Sequence, residues 1–342
     1  MILARGAQFS LLLLGAVAFA TEGGPRAQEA PATFSDRVEA VAFSPDGRLL
    51  ASGGADGAVR LWDVARGRLA KVLGRRGGPI SSVAFSPDGR FVVSGDLDLA
   101  VALWDARRGG LVRTFAGHAG DVAAVAFAPS GRVIASGGLD RTIRLWDAAT
   151  GRTIRVLSGP RDAVTALAFS PDGRSLASGG DDRAITLWRV ADGRPLRSLA
   201  TAAGVTALAF SPDGRRIACG LDGDGPPLAL WDAAASGRAK TLGRRGEGAA
   251  SVAFSPDGRF LVSGRWDGAL RLWRVSSGEA ILRFAGHKDA VSSVAFAPNG
   301  RAIASASWDG TIKLWNAASG ALIETLAAPA ASPKDDRGSP LR

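Results

Sequence analysis

The chain has 342 residues, 46% of them hydrophobic and 22% charged, which excludes a disordered polypeptide and supplies material for a large core. One cysteine excludes an intramolecular disulfide framework and a paired-cysteine zinc site, and two histidines leave little for metal or acid-base chemistry. The net charge of +10 is carried mainly by arginines scattered along the chain, which reads as a solvated basic surface making at most weak polyanion contact, with nucleic acid not expected as a ligand.

Residues 1–20 carry Arg5, an apolar stretch from Phe9 through Leu11-Leu12-Leu13-Leu14 to Ala20, and the small-residue triplet Ala18-Phe19-Ala20. This is the pattern of a secretory signal peptide. The apolar stretch is about 12 residues where a spanning helix needs about 20, so no stable membrane span is expected, and the chain is expected to be exported to the periplasm or the medium. Residues 21–35, rich in Gly, Pro, Ala and Glu, read as a linker, and residues 329–342 as a disordered tail.

Between them an apolar run ending in Phe, a turn and a later tryptophan recur seven times. The phenylalanines are Phe43, Phe85, Phe127, Phe169, Phe210, Phe254 and Phe296, and the tryptophans Trp62, Trp104, Trp146, Trp188, Trp231, Trp273 and Trp315. Each series spans six steps of about 42 residues, the length of a four-stranded propeller blade and too long for an ankyrin, leucine-rich or β-helix repeat. In the first copy, Val38 to Ser44 is apolar at almost every position, as in an inner strand buried on both faces. Pro45-Asp46-Gly47-Arg48 is a turn, because proline fixes φ, aspartate bonds the backbone and glycine accepts positive φ. Leu49 to Gly53 forms the second strand, Asp56-Gly57 a tight hairpin, Ala58 to Trp62 the third strand and Arg68 to Leu73 the outer one.

With Trp62-Asp63, Trp104-Asp105, Trp146-Asp147 and Trp231-Asp232 ending third strands, and Gly117-His118 and Gly286-His287 preceding first strands, the chain resembles the WD-repeat β-propellers. The resemblance implies an all-β, seven-bladed propeller of four-stranded antiparallel blades over residues 36–328, here an exported, bacterial-type, stand-alone member. It also implies two hydrogen-bonded tetrads: His118, Ser136, Asp140 and Trp146, and His287, Ser305, Asp309 and Trp315. Other blades depart from this pattern. Arg76 and Arg245 hold the histidine position in blades two and six, and Pro160 holds it in blade four. Blade five has Cys219 in place of serine and two extra residues within Asp222-Gly223-Asp224-Gly225-Pro226-Pro227, a run without the further carboxylates and closing glutamate of a calcium loop. Two segments compete to close the last blade, Ala321 to Leu326 and Ala30 to Phe34.

Catalytic motifs are absent from the sequence: no glycine precedes a lysine, neither histidine precedes a glutamate, and no serine sits in a nucleophile elbow. No cofactor or metal is expected. The expected function is a non-catalytic, monomeric scaffold that docks other proteins or peptides. The alternatives are a polyanion- or carbohydrate-binding propeller and an atypical hydrolase. Family partners dock mainly on the face carrying the hairpin between strands two and three. The candidate partner-binding residues there are Trp266 and Trp308 in adjacent blades, Arg265 beside the first, and Leu97, Leu139, Asp96 and Asp181 elsewhere on the ring. The opposite face repeats an arginine in every copy: Arg48, Arg90, Arg132, Arg174, Arg215, Arg259 and Arg301. Five of those turns carry aspartate before the glycine, with Ser130 and Asn299 in the others, so partial self-neutralisation is expected there.

Overall fold

The computed structural model describes residues 37–235, 237 and 239–327. The signal peptide, linker and tail read above, and the Ala30 to Phe34 candidate for ring closure, lie outside the described residues. Within them, 28 strands form seven sheets of four antiparallel strands in sequence order. Blade 1 is residues 38–75, blade 2 80–115, blade 3 122–158, blade 4 164–200, blade 5 204–242, blade 6 249–285 and blade 7 291–327.

Burial follows the distance of a strand from the ring axis. First strands lie against one another around the centre and are half-buried, as in Val38–Phe43. Second strands sit between neighbouring blades and are buried at five of six positions, as in Leu49–Gly54 and Val133–Gly138. Fourth strands form the outer wall and are mostly exposed, as in Leu111–Phe115. Blades approach so closely that a methyl group on Gly137 of blade 3 would fall into the Val164 side chain of blade 4. Only glycine fits there.

The hydrophobic core is accordingly a set of slabs between blades. Ala135, Ile143, Leu145 and Leu157 of blade 3 pack on Val164, Leu176 and Trp188 of blade 4. Each repeat tryptophan inserts into the slab shared with the preceding blade, as Trp104 does among Val59, Leu61 and Leu73.

Among the described residues the ring closes without strand exchange. Leu322–Ala327 is the outer strand of blade 7 and pairs with Thr311–Asn316 of the same blade. Blade 1 meets blade 7 through side chains: Val41, Leu50 and Trp62 pack on Ile312, Leu314 and Leu326. Ser292 Oγ donates to Val38 O at 2.7 Å, and Val41 N donates to Ser293 Oγ at 3.2 Å. Equivalent hydroxyl bonds link other blade pairs, as Thr206 Oγ1 to Ala249 O between blades 5 and 6. The junction of the two ends is therefore an ordinary blade interface.

Candidate docking face

Strand register sets the two faces. The start of Val38–Phe43 pairs with the end of Leu49–Gly54, so the hairpin between second and third strands lies at the same end of the blade as the entry to the first strand. We call this the upper face. The turns after first and third strands lie on the lower face.

On the upper face, blades 3 and 7 each carry a continuous chain of polar groups. Trp146 Nε1 donates to Ser136 Oγ at 2.8 Å, Ser136 Oγ lies 2.7 Å from His118 Nε2, and His118 Nδ1 lies 2.9 Å from Asp140 Oδ2. In blade 7 the corresponding distances are 2.8 Å for Trp315 to Ser305, 2.7 Å for Ser305 to His287 and 3.0 Å for His287 to Asp309. The carboxylate can only accept, which puts the proton on Nδ1, leaves Nε2 to accept from the serine hydroxyl and frees the serine oxygen to accept from the indole. Burial pushes the His118 pKa down, against the pull of Asp140. Burial pushes Asp140 and Asp309 up, but bonds from the histidine, the following threonine and a backbone amide outweigh it and hold both carboxyls low. Every polar group in each chain is satisfied and both serines are fully buried, so the geometry anchors the hairpin.

The other blades tie the same hairpin differently. In blade 2 Arg76, at the histidine position, bonds Asp96 at 2.9 Å, and Asp96 also caps the hairpin amides of Asp98 and Ala100. Asp96, a candidate for partner binding, is instead fully buried because it replaces the hairpin aspartate as the anchor. In blade 6 the anchor is Glu247, which meets Arg265 at 3.0 Å and also binds Arg271. Arg265 bonds Asp267 through two nitrogens and is only 7% exposed. It braces the hairpin from below, where the sequence placed it beside exposed aromatics. Asp181 is half-buried, and burial together with Asp162, Asp222 and Asp182 raises its pKa. Leu97 and Leu139 are half-buried, on blades 2 and 3.

Trp266 and Trp308 come together, their ring centroids 5.6 Å apart and tilted by 55°. Both are half-buried rather than exposed. Two contacts that the sequence pattern does not encode hold Trp308: its Nε1 donates to Glu39 Oε2 at 2.9 Å, and the Arg37 guanidinium lies 4.4 Å from its ring centroid. Burial pushes the Glu39 carboxyl up, against the Trp308 N–H and Arg37. Trp266 Nε1 has no hydrogen-bond partner among the described residues, and its ring lies over Gly248. The pair thus forms an aromatic step over blades 6 and 7, bounded by Arg37 of blade 1.

On the lower face all seven turn arginines are exposed. Self-neutralisation by ion pairs is slight: among the described residues only Arg48 reaches its turn aspartate, at 3.9 Å. The aspartates instead accept a bond from the turn serine hydroxyl at 2.6 Å and one from the arginine's own amide, as Asp46 does. No three His, Cys, Asp or Glu side chains converge to a metal site among the described residues.

The WD domain, G-beta repeat family matches residues 29–63, 240–274 and 278–316, and the IFT122 first beta-propeller family matches residues 79–225. No curated protein matches the chain.

Proposed function

Since the chain is a seven-bladed propeller of WD40 repeats, a fold that commonly serves as a protein-interaction scaffold, we propose that it acts as a non-catalytic scaffold, docking a protein partner on its upper face at Trp266 and Trp308. The observation that carries this reading is the aromatic step itself. Two indoles from adjacent blades keep part of their surface in water beside the Arg37 guanidinium. Large, rigid aromatics with a neighbouring arginine are the chemistry of an interface hot spot. The protein is further proposed to act as a monomer outside the cytoplasm, on the strength of the signal-like residues 1–20.

Proximity labelling from the full chain in its native host, comparing wild type with Trp266→Ala and Trp266→Phe, tests the reading. Expected is a small set of labelled proteins that is lost in the alanine variant and kept in the phenylalanine variant, with both variants unfolding cooperatively. The same labelled set in wild type and Trp266→Ala would remove Trp266 from the docking site. A signal dominated by acidic polysaccharide would transfer the function to the arginine-lined lower face.

A further inference from the structure

On the lower face, two grooves between neighbouring blades are built alike. One lies between blades 2 and 3, has a volume of about 340 Å³, and is floored by Phe91, Leu103 and Phe127. The other lies between blades 6 and 7, has a volume of about 560 Å³, and is floored by Phe260, Leu272 and Phe296. Three features set these two interfaces apart from the other five. The second strand begins with phenylalanine only in blades 2 and 6; elsewhere the residue is Leu49, Val133, Ser175, Arg216 or Ala302. The arginine before each of these phenylalanines lies over its ring, Arg90 at 5.4 Å and Arg259 at 5.8 Å.

The third feature lies on the far wall. Five lower turns read Ser-Pro-Asp-Gly-Arg, but blade 3 has Ala128-Pro129-Ser130 and blade 7 has Ala297-Pro298-Asn299. The turn does not need the missing carboxylate. Ser130 Oγ and Asn299 Oδ1 accept the same arginine amide, at 3.3 and 2.9 Å, and Gly131 and Gly300 keep φ at 70° like Gly47 at 69°. The walls come close together, since a methyl group on either turn glycine would touch the turn proline of the preceding blade, Pro87 from Gly131 and Pro256 from Gly300. What changes is charge. Arg132 lines the first groove and Arg301 directly follows Gly300, a lining residue of the second; both arginines are exposed with no acid in their own turn. On the near wall, Asp88 and Asp257 are engaged by the Ser86 and Ser255 hydroxyls at 2.6 Å and by their own arginine amides at 3.0 Å.

We infer that these grooves are paired docking sites for a protein segment in which a large apolar side chain stands next to a carboxylate. The apolar group fills the phenylalanine-floored groove, and the carboxylate meets Arg132 in one site and Arg301 in the other. Charge complementarity selects an acidic segment, and the aromatic floor selects a protein over a sugar polyanion, which would draw on the arginines but leave the floor empty. The grooves lie four blades apart, on nearly opposite sides of the ring. A segment that repeats the motif can engage both, raising its apparent affinity through effective concentration.

The test uses the full chain and a fluorescein-labelled peptide with the central sequence Asp-Leu-Phe-Glu, as a single and a tandem copy, read by fluorescence anisotropy. The variant Ala128→Ser, Ser130→Asp, Ala297→Ser, Asn299→Asp gives both turns the sequence already present in the other five blades, so its thermal unfolding should match wild type. Expected are saturable binding with two single-copy peptides per chain, about tenfold weaker binding to the variant, tighter binding of the tandem peptide, and no change with Trp266→Ala. The inference is overturned if the single-copy peptide does not bind, if the variant binds it equally well, if a Lys-Leu-Phe-Lys peptide binds as tightly, or if heparin binds and the peptide does not. The last result would mean that the likeness of blades 2–3 to blades 6–7 reflects repeated sequence alone.

Discussion

Blades 3 and 7 on one side and blade 5 on the other share four strands and a repeat tryptophan, and differ in what ties the upper hairpin to the rest of the blade. In blades 3 and 7 the indole N–H, serine, histidine and aspartate form one directional chain, so the core tryptophan is linked to the surface turn through bonds of 2.7–3.0 Å. In blade 5 the chain is cut at its second member. Cys219 replaces the serine, Trp231 Nε1 has no hydrogen-bond partner among the described residues, the hairpin is longer, and the outer strand shrinks to Lys240–Leu242. Yet Ile217, Cys219 and Leu221 remain fully packed. Apolar burial between neighbouring blades is therefore enough to form a blade, and the polar chain adds a tether for its hairpin.

The largest effect should come from cutting that chain where it branches. Ser305→Ala strands both the Trp315 N–H and His287 Nε2 in a dry interior, so it should cost about 3 kcal/mol, whereas Cys219→Ala should cost about 1 kcal/mol or less. Equilibrium urea unfolding of the two variants measures the difference. Equal losses would mean that the tetrad adds nothing beyond the packing of its side chains.

A smaller effect should follow pH. His118 is neutral in the fold because burial lowers its pKa from 6.5, while in the unfolded chain it takes up a proton near 6.5. Its share of stability is therefore complete above that pH and is lost as pH falls toward the folded value. Asp140 and Asp309, whose pKa values are held below 3.8, contribute above 3.8 and lose their share only in stronger acid. Hydrogen exchange at pH 7 and pH 5, corrected for intrinsic rates, should show the blade 3 hairpin losing protection at the lower pH while the blade 5 hairpin, which has no histidine, does not. Replacing the histidine by the residue that blade 2 uses, His118→Arg, should flatten that response. An unchanged response in the variant would place the titrating group elsewhere.

The same comparison marks the limit of what the residues alone disclose. A period of about 42 with a phenylalanine, a glycine turn and a tryptophan in each copy was sufficient for seven four-stranded blades, and the absence of an oxygen at position 219 already set blade 5 apart. These are features local to one repeat. Glu39 under Trp308 is not local: the two are 269 residues apart and meet only because the ring closes. Asp96 and Arg265 read as surface charges because they precede hairpins, but each has a partner from the loop entering its own blade, Arg76 and Glu247 respectively. The lower grooves left a sequence trace in Phe91, Phe260, Ser130 and Asn299. It gained meaning only once blade contacts set those residues on facing walls.

The finest test returns the missing acceptor to blade 5. Burial pushes the Cys219 thiol up to about 12, so it stays protonated, and a neutral sulfur is a weak acceptor for the Trp231 N–H. In the six other blades a serine at this site accepts the indole N–H at 2.8–2.9 Å. Cys219→Ser should restore that bond. The gain is small because the new hydroxyl must itself be buried, and its nearest precedent, Ser178 reaching Thr186 O at 3.4 Å, is a long bond. A free cysteine also packs as a small apolar group, so some burial energy is lost. The balance should be a stabilisation of at most about 1 kcal/mol, read by calorimetry, with the loop before blade 5 too short for one substitution to complete the tetrad. A net loss would show that in this blade the packing of sulfur outweighs an indole hydrogen bond, and that blade 5 is held by its apolar slab alone.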